Sequence, residues 1–339
     1  MGRKQGPRKG SLQVWPRKRA EKFLPRVNWA PISHRLNLTS PSTYSPTVSN
    51  SANKINLLGF IGYKVGMAAA FVKDNTPDSM TKNKRVIVPV TLLECPPMKI
   101  LSVRFYKNGV VANEVLNDNL DKELKKVIKL PANKHNAKEQ IEKLEKEHNY
   151  DDIQLIVYSE AKKTELKKTP DVSEVAISGS IADKIAFIKE NLAKEISVAD
   201  VFQKGIVDVR GLTKGKGFQG PIKRFGARLR FHKSEKGIRR IGSVGPWHPH
   251  GIRFRVPMGG QMGLFSRITY NNSIVASKKF SESDPVVKKV FPNYGLIRTD
   301  YVLIAGSVQG PQKRQLLITA PTRPSKHQAK KNYEFVEIR

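Results

Sequence analysis

One stretch of this chain cannot build a core of its own, and that limits every fold available to the rest. Residues 210–267 read RGLTKGKGFQGPIKRFGARLRFHKSEKGIRRIGSVGPWHPHGIRFRVPMGGQMGLFSR. Glycine, proline, arginine and lysine stand where a helix or strand would repeat apolar side chains. Residues 204–267 hold 15 bases against two acids, Asp208 and Glu235. A structureless loop this long inside a compact domain is uncommon and is usually functional or ordered by a partner. Its glycines let the backbone approach phosphates, and its cations neutralise them. Phe218, Phe225, Phe231, Trp247 and Phe254 offer flat faces for unpaired bases. Residues 213–266 are therefore expected to be an extension that takes its shape from a polynucleotide.

The rest of the charge agrees. The chain has 61 Lys and Arg against 29 Asp and Glu, a formal charge of +32 over 339 residues. A polycation of this kind repels itself unless a polyanion neutralises it, and nucleic acid is the commonest such partner. Residues 113–195 differ, with 17 acids and 15 bases. They read as an ordinary solvent-facing module.

The texture along the chain divides accordingly. Residues 1–36 form a basic N-terminal arm, with Trp15, Phe23 and Trp29 interleaved among ten bases. Residues 37–54 form a Ser/Thr-rich linker. Short β-rich runs follow at Leu57–Gly62, Val65–Val72, Arg85–Glu94 and Ile100–Tyr106, and return at Gly205–Leu212, Ile268–Ala276, Gly295–Val308 and Gln315–Thr319. A strand set interrupted twice predicts a mainly β chain, one antiparallel barrel carrying two insertions. Its parts would be 55–106 and 204–212 before the basic central extension (213–266), then 267–320, with a basic tail at 321–339. The other insertion, 107–203, reads as helix-rich. Lys138–His148 puts Ile141 and Leu144 on one face, with Glu139/Lys143 and Glu142/Lys146 spaced as i,i+4 pairs. Ser180 and Asp183 have capping-box spacing ahead of a stripe of Ile181, Ile185, Ile188 and Leu192.

Several chemistries are excluded. One cysteine, Cys95, allows no intramolecular disulfide and no Cys-rich zinc site. It is expected to be a buried or edge thiol, and Asp300 a turn residue. No run of 18 apolar residues exists, so no membrane span is expected. The start of the chain is charged without an apolar run behind it, unlike a secretory signal. Gly215-Lys-Gly217-Phe-Gln-Gly220 matches a dinucleotide fingerprint, but Pro221 and Gly226 interrupt the helix it needs and no acid follows at the required distance. His232, His248 and His250 lack a carboxylate or thiol to complete a metal site. No cofactor or small-molecule substrate is expected. Gly259-Gly260-Gln261 is also the tripeptide that peptide-release factors carry, which leaves a hydrolysis trigger as an alternative. A tight turn ahead of Ile268 is the plainer reading. A generic polycation for any polyanion is the third.

The residues also carry a resemblance. GSLQVWPRKRA (10–20), GFIGYKVGM (59–67), DVRGLTKGKGFQGPIKRFG (208–226), RRIGSVGPWHPHG (239–251), GGQMG (259–263) and GLIRTDYVLIAGSVQGPQKR (295–314) resemble the universal large-subunit ribosomal protein of the L-three family, in its archaeal and eukaryotic branch. Ile268, where the family usually has Thr, Phe265, where it often has His, and the 37–53 linker depart from its pattern. The resemblance implies a six-stranded, Greek-key-like barrel and rRNA-penetrating extensions. It implies a structural, cytoplasmic role in the ribosome and no enzymatic one. The partners would be large-subunit rRNA and neighbouring ribosomal proteins, with early assembly near the 3′ end of that rRNA. A finger around Trp247 would approach the peptidyl transferase centre. The expected rRNA contacts are Arg8, Lys9, Trp15, Arg17, Lys18 and Arg19 in the arm. In the central extension they are Lys214, Lys216, Phe218, Gln219, Lys223, Arg224, Arg228, Arg230, His232, Arg239, Arg240, Trp247, His248, Arg253, Arg255 and Gln261. Arg267, Lys313 and Arg314 complete the set.

Overall fold

The computed structural model describes residues 17–33, 57–131, 136–147, 150–248, 250–253 and 255–339. The expected linker and Arg8, Lys9, Trp15 and Phe254 lie outside them. The chain is mainly β. Strands β1 (Gly59–Asp74) and β2 (Arg85–Glu94) come first, followed by β3 (Met98–Lys107), β4 (Val110–Leu116), β5 (Asp152–Ser159) and β6 (Val172–Ala176). Then come β7 (Gly205–Leu212), β8 (Phe218–Gln219), β9 (Gly260–Gln261), β10 (Ser266–Lys278), β11 (Tyr301–Ala305), β12 (Gln315–Thr319) and β13 (Tyr333–Ile338). Helices are α1 (Ala137–Glu147), α2 (Ile181–Asn191), α3 (Val198–Val201) and α4 (Pro221–Phe225), with shorter turns elsewhere. Two compact units result. One is Met1–Phe23 with Leu212–Arg267, and the other is Leu24–Gly211 with Ile268–Arg339.

The larger unit contains a seven-stranded sheet in the order β12-β7-β10-β11-β2-β1-β13, and β12 also pairs with β1. Six strands therefore pair in a closed ring, to which β13 adds on β1. Registers include Gly59↔Thr319, Tyr63↔Glu94, Tyr301↔Glu94 and Leu317↔Arg210, all antiparallel. Val65, Val72, Val90, Leu92, Val275 and Leu303 form one apolar cluster of this sheet. A second cluster joins Phe60, Val209, Val302 and Ile318 to Met98, Val157 and Ile188.

The run at Ile100–Tyr106, read with the barrel strands, forms β3 and pairs elsewhere. It lies in a four-stranded sheet of order β4-β3-β5-β6. Val103 and Phe105 pack with Ile153, Leu155 and Val157, while Arg104 turns to Glu114 and Glu174 on the other face. A period of two marks a strand with one covered face but does not say which sheet covers it. The insertion is helix-rich as expected, with its helices packed beside strands of this second sheet.

Within it Ser180 caps α2. Its hydroxyl accepts from the Asp183 N–H at 3.4 Å, and Asp183 accepts from the Ser180 N–H at 3.1 Å. Ile185, Ile188 and Leu192 are buried, whereas Ile181 in the first turn is exposed. On α1, Ile141 is buried as the spacing requires. The i,i+4 pairs do not form among the described residues. Glu139 accepts from the Asn136 amide at 2.9 Å, and Glu145, outside both pairs, takes Lys189 of α2 at 2.6 Å. An exposed pair along a helix is worth only about 0.3–0.5 kcal/mol, so little holds one in place.

Trp29 also departs from the sequence reading. Placed with the basic arm, it is instead 2% exposed and part of the core. Its indole N–H donates to the Glu174 carbonyl at 3.0 Å, and Gly59 leaves the space it occupies: a Cβ there would stand 2.7 Å from Trp29 Cη2. Ile32 and Ser33 are buried with it. Cys95 is fully buried, and burial, with Glu94 and Asp300 adding to it, pushes its thiol well above the ordinary value. The Asp300 carboxylate accepts from the Ser197 hydroxyl at 2.5 Å and from the Phe280 N–H at 2.9 Å, outside any strand.

Candidate nucleic-acid interface

The smaller unit is held at its base by backbone pairing. The Thr213 N–H donates to Phe265 O at 3.0 Å, that of Lys216 to Met262 O at 2.9 Å, and that of Met262 to Gly217 O at 2.8 Å. β8 and β9 continue this ladder with Phe218↔Gln261 and Gln219↔Gly260. Gly263 has a φ of +80° with Lys214 O 2.0 Å from where a Cβ would be, so no side chain fits. Pro221 opens α4 at its first turn and Gly226, at a φ of +67°, ends it.

Arg224 ties this base together. Its Nε donates to Gln261 O at 3.0 Å, and its Nη1 to Met258 O at 3.1 Å and Gly259 O at 3.4 Å. A Cβ on Gly260 would stand 2.8 Å from that Nη1. The Gly-Gly-Gln tripeptide is thus a paired strand closed over a guanidinium rather than a tight turn. Gln261 turns its own amide back to Met262 O at 3.3 Å and Gly263 O at 3.2 Å, and the Gln219 amide donates to Lys216 O at 2.6 Å. From the N-terminal arm, the Ala20 N–H reaches Leu264 O at 2.9 Å, and Arg17 lies 4.6 Å over the Phe225 ring.

Beyond that base the backbone has little regular structure. The Arg230 N–H meets Ile238 O at 3.1 Å, and its guanidinium meets Ile241 O at 2.5 Å, around a turn with Lys236 and Gly237 at positive φ. Among the described residues of 213–267, Phe225 and Gly263 are the buried ones. Among the described residues of this unit no apolar core forms. Phe218 and Trp247 are 79% and 78% exposed, and Phe231 is exposed against His232, its ring 4.2 Å away. His250 meets the Trp247 ring at 5.3 Å and His248 at 5.0 Å. Lys18, Arg19, Lys214, Lys216, Lys223, Arg228, His232, Arg239, Arg240, His248, Arg253, Arg255 and Arg267 are exposed. Arg267 lies over Phe265 at 5.1 Å.

The unit therefore offers cations and flat rings to solvent, with Glu235 as the acid of its central tract. Of the expected contacts, Arg224, Arg230, Gln219 and Gln261 donate to main-chain carbonyls, and Phe225, expected as a stacking face, is buried. Lys233, Lys236 and His250 are exposed beside the expected set and were absent from it. Their signal was the same charge density. In the larger unit, Lys313 is exposed at a φ of +65° with its N–H on Lys64 O at 2.8 Å, and Arg314 is half-buried. Among the described residues no group of three or more His, Cys, Asp or Glu is placed to hold a metal, and no helix is long and apolar enough to cross a membrane.

Comparison with known proteins decides what kind of chain this is. The family profile described as Ribosomal protein L3 matches residues 1–338. The chain belongs to the ribosomal protein L3 family. It is 38% identical over 330 residues to the large ribosomal subunit protein uL3 of Methanocaldococcus jannaschii, covering 94% of this chain and 92% of that protein. It is also 38% identical over 333 residues to the Archaeoglobus fulgidus protein of the same name, covering 94% and 93%. The uL3 of Methanococcus aeolicus matches at 38% over 336 residues, covering 95% and 93%. The L3 family is one of structural ribosomal proteins, which sets the Gly-Gly-Gln hydrolysis reading aside. The geometry of Gly215–Gly220 agrees with this for the dinucleotide reading as well, since the helix that follows is five residues long.

Proposed function

We propose that this chain is a structural constituent of the large ribosomal subunit in the cytoplasm, bound to its rRNA through a coreless basic extension anchored on a six-stranded barrel. The barrel is the closed ring β12-β7-β10-β11-β2-β1. Residues 213–266 are the extension, 1–36 the basic arm and 321–339 the basic tail. The observation that carries this reading is that, among the described residues of 213–266, most cations are exposed and only Phe225 and Gly263 are buried. Such a segment has too little apolar burial to offset its own ordering and needs counter-charge from outside.

Each cation that meets a phosphate releases condensed counterions, so affinity falls with salt at about 0.7–0.9 log units per phosphate met. Phosphate contacts set position, while Phe218, Phe231 and Trp247 are available to stack on splayed bases. The chain's own ladder at 213–219 and 260–265 holds the two ends of the extension side by side. Its far end, around Trp247, approaches the peptidyl transferase centre, and the chain joins early, near the 3′ end of the rRNA, beside other ribosomal proteins. The test is sedimentation and crosslinking together. The chain should stay with large subunits through a high-salt wash, and residues 213–266 should crosslink to large-subunit rRNA. Equal competition by random RNA would identify a generic polycation instead.

A further inference from the structure

The four-stranded sheet has two edges, and the chain treats them differently. On β6 the main chain is covered. The Trp29 indole N–H takes Glu174 O, the Leu58 N–H takes Ala176 O at 2.9 Å, and Leu57 bridges Ile177. On β4 nothing among the described residues pairs with the side facing away from β3. An open edge is a template for another strand, and soluble proteins normally blunt one with lysine, proline or cover. β4 reads Val-Val-Ala-Asn-Glu-Val-Leu, with neither lysine nor proline. Val110 is 69% exposed and Val111, Ala112 and Asn113 are exposed beside it.

The charge around this edge is net acidic in a chain that is net basic, although Glu114 is paired with Arg104. The hairpin that carries β4 is pinned by Asp151, which accepts from the Asn108 N–H at 2.5 Å. Asn113 donates to Tyr150, whose hydroxyl reaches Glu147 at 3.3 Å. Glu114, Glu147 and Asp151 are all exposed. Residues 137–152 hold six acids, Glu139, Glu142, Glu145, Glu147, Asp151 and Asp152, against three lysines.

We propose that the free edge of β4 accepts an added strand from a basic, extended segment of a neighbouring protein of the large subunit. Main-chain hydrogen bonds give such an addition its affinity, and the carboxylates choose a cationic strand. The proposal rests on the ribosomal reading above, and its test separates the two. The full chain carries p-benzoylphenylalanine in place of Val110, in salt-washed large subunits. Irradiation should join it to a Lys/Arg-rich protein segment without helical periodicity. The pair Val111→Lys with Ala112→Lys should cut that yield about tenfold by like-charge repulsion, while Val111→Glu with Ala112→Glu keeps it. Crosslinks to rRNA, to an acidic segment or to nothing would overturn the proposal while leaving the ribosomal reading intact. Equal loss in both pairs would overturn it too. Absence of the chain from washed subunits would overturn both.

Discussion

Glu94 is fully buried where β1, β2 and β11 meet, and it is provided with four donors. Oε1 accepts from the Arg298 N–H at 2.7 Å, the Thr299 N–H at 2.9 Å and the Thr299 hydroxyl at 3.0 Å, and Oε2 accepts from the Tyr294 hydroxyl. Burial pushes its pKa up and the hydrogen bonds pull it down, and burial prevails. The folded chain then keeps this proton to a higher pH than the unfolded one does. Its contribution is largest at low pH and falls as pH rises from about 4.5 through the raised value. Glu94→Gln keeps an acceptor for the three donors and an amide that can donate to Tyr294. It should flatten the decline of Tm with pH above that point, and an unchanged slope would show that another group sets it. Gly263 gives a second residue-scale expectation. Ala there meets Lys214 O head on at positive φ, so the amides of Lys216 and Met262 should exchange hydrogen at least about tenfold faster. Trp29→Ala should cost about 3–5 kcal/mol in urea unfolding, as a large core truncation does.

At the scale of elements, strands were legible in sequence and their partners were not. β-branched runs bounded by Gly and Pro marked β1, β2, β7 and β11 because a pleated, half-buried surface selects those residues. The same signal in β3 could not reveal that its ladder runs to β4 and β5, since pairing is a non-local choice. Trp29 differs for a similar reason: it stands at the end of an arm of ten bases, and its neighbours in space are Gly59 and the Glu174 carbonyl. The coreless character of 213–266 was legible because lack of apolar burial is a property of composition. What composition could not show is which polar side chains the chain keeps for itself, such as Arg224 on three carbonyls. Exposed and internal cations should therefore separate in binding. Replacing Lys214, Arg239 and Arg240 by Ala should weaken binding to a large-subunit rRNA fragment, with Tm unchanged. The salt slope should fall by about 0.7–0.9 for each phosphate left without its cation. Arg224→Ala should instead loosen the 213–265 ladder. Trp247→Ala should leave Tm unaltered and lose about 1–3 kcal/mol wherever that ring stacks on a base.

Across the whole molecule, charge and burial are divided between two kinds of segment. The larger unit has an ordinary apolar core and carries the acid-rich module, some of whose carboxylates meet lysines: Glu160 meets Lys99 at 2.5 Å, Asp152 meets Lys184 at 2.5 Å and Glu123 meets Lys162 at 2.8 Å. The smaller unit has 21 of the 61 Lys and Arg against two acids, Glu21 and Glu235, and its described residues have almost no burial. On the proposed function, such a protein should fold completely only where RNA supplies the missing counter-charge, so RNA and proteolytic resistance should be coupled in one part and uncoupled in the other. Limited trypsin digestion of intact large subunits, with and without prior nuclease treatment, reads this directly at Arg239 and Arg240 against Lys143 and Lys146 on α1. We expect cleavage after Arg239 and Arg240 only once the RNA is removed, with cleavage on α1 insensitive to nuclease. Equal cleavage of the extension in both states would contradict the account.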